Sequence, residues 1–105
     1  MKKRVVITGL GAISPLGLNI EENWKNLING VNGIKPVERF ANEEYRTHCA
    51  GEVTGFDILK FIKDEKLKNI GLCSQFSIAA VKMALDNANL KDYDNDRIGV
   101  TIGTT

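Results

Sequence analysis

The chain has 105 residues, 43% of them hydrophobic, with fourteen Lys and Arg against thirteen Asp and Glu. That is the size of one small domain, with enough apolar material for a core. A net charge of +1 gives no electrostatic ground for nucleic acid or an anionic membrane as the main partner, and no apolar run approaches the roughly 20 residues a membrane-spanning helix needs.

The N-terminus is basic at Lys2, Lys3 and Arg4, as a signal peptide would be. The apolar run behind it is short, Gly9 and Gly11 break it, and no small-residue cleavage site follows, so secretion is not expected. Residues 4–8, Arg-Val-Val-Ile-Thr, are predicted as a strand. Val5, Val6 and Ile7 do not alternate with polar residues, which suits a strand buried on both faces, as in a parallel sheet covered by helices. Gly9, Gly11, Pro15 and Gly17 then punctuate a tight loop. Asn19 is the expected N-cap of a first helix, with Glu22 three residues on as in a capping box. Ile20, Trp24, Leu27, Ile28 and Val31 recur at helical spacing as one apolar stripe, and Gly30 and Gly33 end the helix. Strand, loop and helix are the opening of an α/β unit.

Residues 34–55 read as irregular, with a short edge strand within 48–53. Residues 56–68 are charged and partly helical, with Ile58, Leu59, Phe61, Ile62 and Leu67 as the apolar side. A stronger helix is predicted over 74–88. Phe76, Ala79, Ala80, Met83 and Ala84 lie on one face, and Ile78, Val81, Leu85 and Ala88 widen it over most of the circumference. Such a helix is expected to be buried, and its alanines would let another backbone approach closely. Residues 89–96 form a polar turn, and residues 97–103 are predicted as a second β-branched strand. Two strands and two helices make a thin parallel sheet, and nothing covers the face of the strand at 97–103. The chain is therefore expected to continue into a larger fold.

Four features invite a chemical reading. Gly9-Leu10-Gly11 after a strand suggests dinucleotide binding. That fingerprint needs a third small residue and a helix opening from the loop, whereas Pro15 follows Ser14 and no acidic strand end lies about 20 residues on. A tight turn needing positive φ is the simpler account. His48 and Cys49 are adjacent, so in an extended segment they face opposite ways and cannot pair as nucleophile and base. A surface His beside a buried thiol is expected. Cys73 precedes the second helix, a place that can activate a thiol, but no second His exists in the chain to assist it. With only these two cysteines and no CxxC spacing, both read as free thiols of a reducing cytoplasm rather than as a disulfide or a metal site. Lys60, Lys63, Lys66 and Lys68 cluster with Asp64 and Glu65 between them. They form either a solvated face with internal ion pairs or a docking patch for an acidic partner.

Residues 5–17, Val-Val-Ile-Thr-Gly-Leu-Gly-Ala-Ile-Ser-Pro-Leu-Gly, resemble the opening of β-ketoacyl-acyl-carrier-protein synthases, particularly the type II elongating enzymes of bacterial fatty acid synthesis. The likeness continues through residues 24–27, 30–34 and Arg39-Phe40. It resumes at Ala50-Gly51 with Phe56, at Gln75 and the helix after it, and at residues 96–103. The resemblance implies an α/β, thiolase-like fold of alternating layers, usually in a homodimer. Residues 1–105 would be a partial N-terminal β-ketoacyl synthase domain, the first part of the N-terminal half. It implies decarboxylative condensation of an enzyme-bound acyl group with malonyl-acyl-carrier protein. The partners would be acyl carrier protein and acyl and malonyl thioesters, with no nucleic acid, no membrane and no cofactor of the enzyme's own.

The family's nucleophilic Cys and its two assisting His lie downstream of residue 105, so no catalytic residue is carried onto this chain. Cys49 and Cys73 do not stand in the nucleophile's place. Residues 4–8 and 97–103 would be core strands, and residues 9–17 the turn that redirects the chain. In related enzymes the segment matching residues 63–68 is basic and lies near the docked carrier protein. That implies Lys63, Lys66 and Lys68 as docking residues, with charge complementarity as the physical reason. One departure stands out. The family usually shows a basic residue and Met-Asp before the second helix, where this chain has Asn-Ile-Gly-Leu-Cys at 69–73, leaving Ser74 as the expected cap. A divergent synthase, or a non-catalytic partner subunit of the chain-length-factor type, also fits that pattern.

Overall fold

The structure is a computed structural model that describes residues 1–37 and 44–104, so Arg39 and Phe40 of the family-like pattern lie outside the described residues. The chain forms two contact-rich units, one from residues 12–57 and one from residues 1–11 with 58–105.

The first unit is built on a turn and a helix. Ser14 and Gly17 exchange backbone hydrogen bonds, with Ser14 N donating to Gly17 O at 2.9 Å and Gly17 N to Ser14 O at 3.1 Å. Pro15 suits the first corner of such a turn because its ring presets φ. Helix α1 (Ile20–Ile28) follows, with Asn19 as its N-cap. Glu22 N donates to Asn19 Oδ1 at 2.8 Å, and Glu22 Oε2 accepts from Leu18 N at 2.9 Å. This is the expected capping box, with its return bond made one residue early. At the other end Gly30 takes φ +66, Gly30 N donates to Leu27 O, and Val31 N donates to Asn26 O. That pair of bonds is a Schellman stop, and glycine suits the left-handed corner it requires.

Most of the apolar stripe expected of α1 is exposed, at Trp24, Leu27, Ile28 and Val31, while Ile20 is half-buried. Amides face the loop instead. Asn23 Nδ2 donates to Gly17 O at 2.9 Å and to Asn19 O at 2.7 Å, its Oδ1 pairs with Ser14 Oγ, and Asn26 Nδ2 donates to Leu16 O at 2.5 Å. Helical periodicity brings positions 19, 23 and 26 onto one side and the stripe onto another.

Two short strands complete this unit. β1 (Lys35–Pro36) pairs antiparallel with β2 (Cys49–Ala50), and Val37 N extends the pairing to His48 O at 2.8 Å. The edge strand expected within 48–53 is thus realised over two residues. Around it the glycines are spaces for Pro15: a Cβ on Gly51 would sit 2.9 Å from Pro15 Cγ, and one on Gly33 3.0 Å from Pro15 Cβ.

In the second unit, 3-10 turns at Ile58–Lys60 and Glu65–Asn69 replace the partly helical stretch expected over 56–68. Helix α2 (Leu72–Asn87) starts earlier than expected. Its N-cap is Gly71, not Ser74, and no side chain bonds at that cap. It ends like α1, but with Asn89 at φ 52 in the left-handed position, Asn89 N donating to Asp86 O and Leu90 N to Leu85 O. Asparagine is the commonest non-glycine choice there.

Against α2 lies the N-terminal segment. A Cβ on Gly11 would sit 2.1 Å from Ala80 O, and one on Gly9 2.2 Å from Ala84 O and 2.8 Å from Ala88 Cβ. Leu10 N donates to Asn87 Oδ1 at 3.0 Å. The close backbone approach expected of the alanine helix is present. Gly9 and Gly11 serve that approach and not a left-handed turn, because neither has positive φ.

Two expectations are corrected here. Residues 4–8 and 97–103 form no strand among the described residues, and residues 95–97 are a 3-10 turn. A strand exists only where a neighbouring backbone supplies the ladder, and β-branched composition does not supply one. Val5 and Ile7 are accordingly 94% and 83% exposed. Nor is α2 buried all round: only Gln75 and Ala79 are, while Leu72 and Val81 are exposed. No helix of the described residues is long and apolar enough to cross a membrane.

Candidate functional site

The basic segment is built on the two 3-10 turns. Ile58, 1% exposed, anchors the first turn, and its carbonyl accepts from Phe61 N and Ile62 N at 3.0 Å each. Asp64 caps the second turn, its side chain accepting from Lys66 N at 3.0 Å. Lys60, Lys63, Lys66 and Lys68 all stand exposed.

The two interleaved acids are not equivalent. Asp64 is engaged as a cap, and Glu65 Oε2 lies 3.2 Å from Lys68 Nζ. Lys63 and Lys66 form no salt bridge among the described residues. Of the three lysines singled out by the resemblance, Lys68 is thus paired, while Lys63 and Lys66 have no salt-bridge partner among the described residues. An exposed pair such as Glu65–Lys68 is weak and yields readily to a competing acidic surface.

Sequence reasoning did not single out Gln75 as a working residue. It is 8% exposed, and its Nε2 donates to Ile70 O at 2.8 Å and reaches Lys68 O at 3.5 Å. It ties α2 to the end of the lysine-bearing turn. The available signal was a glutamine within an apolar helical face, which calls for a buried partner.

The other candidates separate. Cys73 lies inside the first turn of α2, exposed, with Sγ 3.4 Å from Thr104 Oγ1. Cys49, expected to be buried, is exposed on β2, and His48 is exposed beside it. The reason is the two-residue length of β2, which has no layer packed over it among the described residues. Gly9-Leu10-Gly11 lies along α2 and does not open a helix, unlike a phosphate cradle. Among the described residues no three His, Cys, Asp or Glu side chains are grouped to hold a metal ion. Beside α2 runs an open groove of about 290 Å³, walled by Ile62, Ile78, Val81, Leu85, Val100 and Ile102.

Residues 2–105 match the family described as β-ketoacyl synthase, N-terminal domain. The chain belongs to that family. It is 42% identical over 104 residues to 3-oxoacyl-[acyl-carrier-protein] synthase 2 of Staphylococcus aureus (strain N315), covering 97% of this chain and 25% of that protein. It is 39% identical over 105 residues to the protein of the same name from Synechocystis sp., again covering 25% of it. The chain thus spans about a quarter of the length of these curated relatives. Among solved structures it is similar to the ishigamide ketosynthase/chain length factor, with a TM-score of 0.73 and 36% identity over 82% of this chain and 21% of that one. The α/β, thiolase-like class expected from the resemblance is the class of this family.

Proposed function

We propose that residues 1–105 are a partial N-terminal β-ketoacyl synthase domain belonging to a 3-oxoacyl-acyl-carrier-protein synthase. That enzyme condenses an enzyme-bound acyl group with malonyl-acyl-carrier protein and releases carbon dioxide. The observation that carries this reading is the continuous match to relatives of that name at about 40% identity over nearly every residue of the chain. The exposed β-branched segments and the apolar groove support it physically, because both are surfaces that a larger layered fold would bury. The chain's own contribution is scaffold together with a carrier-docking surface at Lys63, Lys66 and Lys68. The partners are acyl carrier protein and acyl and malonyl thioesters, the setting is cytoplasmic, and the complete enzyme is a homodimer.

The test is to read the coding frame past residue 105 and assay its product for carbon dioxide release from malonyl-carrier protein in the presence of an acyl donor. Condensation that depends on a downstream Cys supports the reading, and a product without condensing activity rejects it. A second reading, a non-catalytic partner subunit, is favoured by one observation: a similar solved structure is described as a ketosynthase/chain length factor. A frame that continues without the Cys would select it, and a frame that stops at residue 105 would leave an inactive remnant of the family.

The docking surface makes a separate prediction. The Lys63→Glu/Lys66→Glu double variant is expected to bind acyl carrier protein at least tenfold more weakly, because truncating or reversing close charge pairs costs about 1.5 kcal/mol or more at such interfaces. Fluorescence anisotropy with a labelled carrier protein measures this directly. Affinity equal to the parent's would remove the docking role.

A further inference from the structure

A five-residue 3-10 turn leaves its last carbonyls without partners inside the turn. In the turn Glu65–Asn69 this matters, because the exposed residues at its end carry the positive charge. Gln75 brings a donor to that end, bonding the residue that follows the turn and approaching a carbonyl within it. Its Nε2 bonds Ile70 O at 2.8 Å and reaches Lys68 O at 3.5 Å, from a side chain that is 8% exposed. Gln75 stands in the first turn of a 16-residue helix, so its amide fixes the end of the short turn to a stiff element. The other end is held by Asp64, whose carboxylate accepts from Lys66 N. The lysine segment is thus fastened at both ends, once by its own cap and once by α2.

We infer that Gln75 is a positioning residue for carrier docking: it holds the turn bearing Lys66 and Lys68 at one place on α2 so that their charges meet an acidic partner together. The inference rests on the docking reading of Lys63, Lys66 and Lys68. Lysine side chains are long and flexible, and the backbone beneath them decides where their charge is concentrated. A turn free to swing would have to be ordered on binding, at a cost in affinity. Glutamine suits the task because it reaches the carbonyls and donates to them. A carboxylate of the same length could only accept and would be repelled.

The test uses the 105-residue chain, a fluorescently labelled acyl carrier protein, and two salt concentrations. Gln75→Met keeps the length and removes the donor. We expect about tenfold weaker binding and a flatter salt dependence, with the helical circular dichroism signal retained. In the parent, the Gln75 side-chain amide protons should exchange slowly by nuclear magnetic resonance. If Gln75→Met binds like the parent while Lys63→Glu/Lys66→Glu fails to bind, the positioning role is overturned and the docking reading stands. If the lysine variant binds like the parent, the docking reading falls and takes this inference with it. If Gln75→Met loses its helical signal along with binding, Gln75 belongs to folding alone and the inference is equally overturned.

Discussion

The Gly11→Ala variant is expected to lose about 2–3 kcal/mol of stability, read as a lower urea midpoint of the helical signal. The added methyl would sit 2.1 Å from Ala80 O and 3.0 Å from Ala84 N, both backbone atoms of α2. A flexible side chain could swing aside, but a helix backbone cannot, so either the N-terminal segment lifts away or the helix distorts. Alanine does lower the entropy of the unfolded chain, and at an unstrained site that stabilises by about 0.4–1 kcal/mol. The steric cost outweighs it here. Gly99→Ala is the control: nothing lies within 4 Å of a Cβ at that position, and its φ is not positive. There the entropic gain stands alone, and a neutral or slightly raised midpoint is expected. Equal midpoints for the two variants would mean that Gly11 is not needed for contact with α2.

Ile58→Ala is expected to cost about 2–5 kcal/mol, the usual range for emptying a fully buried aliphatic site. Ile58 is 1% exposed and opens the first 3-10 turn, which packs on both α2 and the second turn. With so few residues fully buried among those described, the second unit has little else to compensate the cavity. Ile58→Val, which keeps most of the volume, should cost about 0.5–1.5 kcal/mol. Thermal unfolding of the two variants side by side measures the difference. If alanine and valine melt alike, Ile58 does not anchor the first 3-10 turn.

What was legible in the sequence was chemistry that acts within a few residues. Asn19 with Glu22, and Gly30 after α1, mark their helix ends because a cap is made by its own neighbours. The apolar run over 74–88 is a helix, with its start misplaced by two residues, because Gly71 caps without a side-chain bond and so leaves no motif to read. Ala80, Ala84 and Ala88 recur every fourth residue, which correctly anticipates a close backbone approach. The glycines that make that approach look in sequence like an ordinary turn, since the same residue serves both needs. Residues 4–8 and 97–103 carry strand composition but take no ladder among the described residues, because pairing is a property of two segments and not of one. The tasks of Asn23, Asn26 and Gln75 were hidden for a related reason. Each bonds a backbone carbonyl, and a carbonyl has no letter in the sequence. The lysines were legible as charge. That Glu65 pairs with Lys68, and not with Lys63 or Lys66 among the described residues, follows only from geometry.

The reach of these contacts along the chain also sets an order in time. The amide bonds that fasten α1 to its loop join residues four to ten apart, from Asn23 to Asn19 and from Asn26 to Leu16. Leu10 and Asn87, by contrast, are separated by 77 positions. Short loops close early and long ones late. On a ribosome that extends the chain from its N-terminus, α1 and its turn can assemble as soon as about thirty residues have emerged. The apolar stretch at Val5–Ile7 waits until α2 has been synthesised before its neighbours Gly9 and Gly11 have anything to rest against. Val5 and Ile7 themselves stay exposed even after α2 is in place, so it is the two glycines and Leu10, not the β-branched side chains, that the late contact secures.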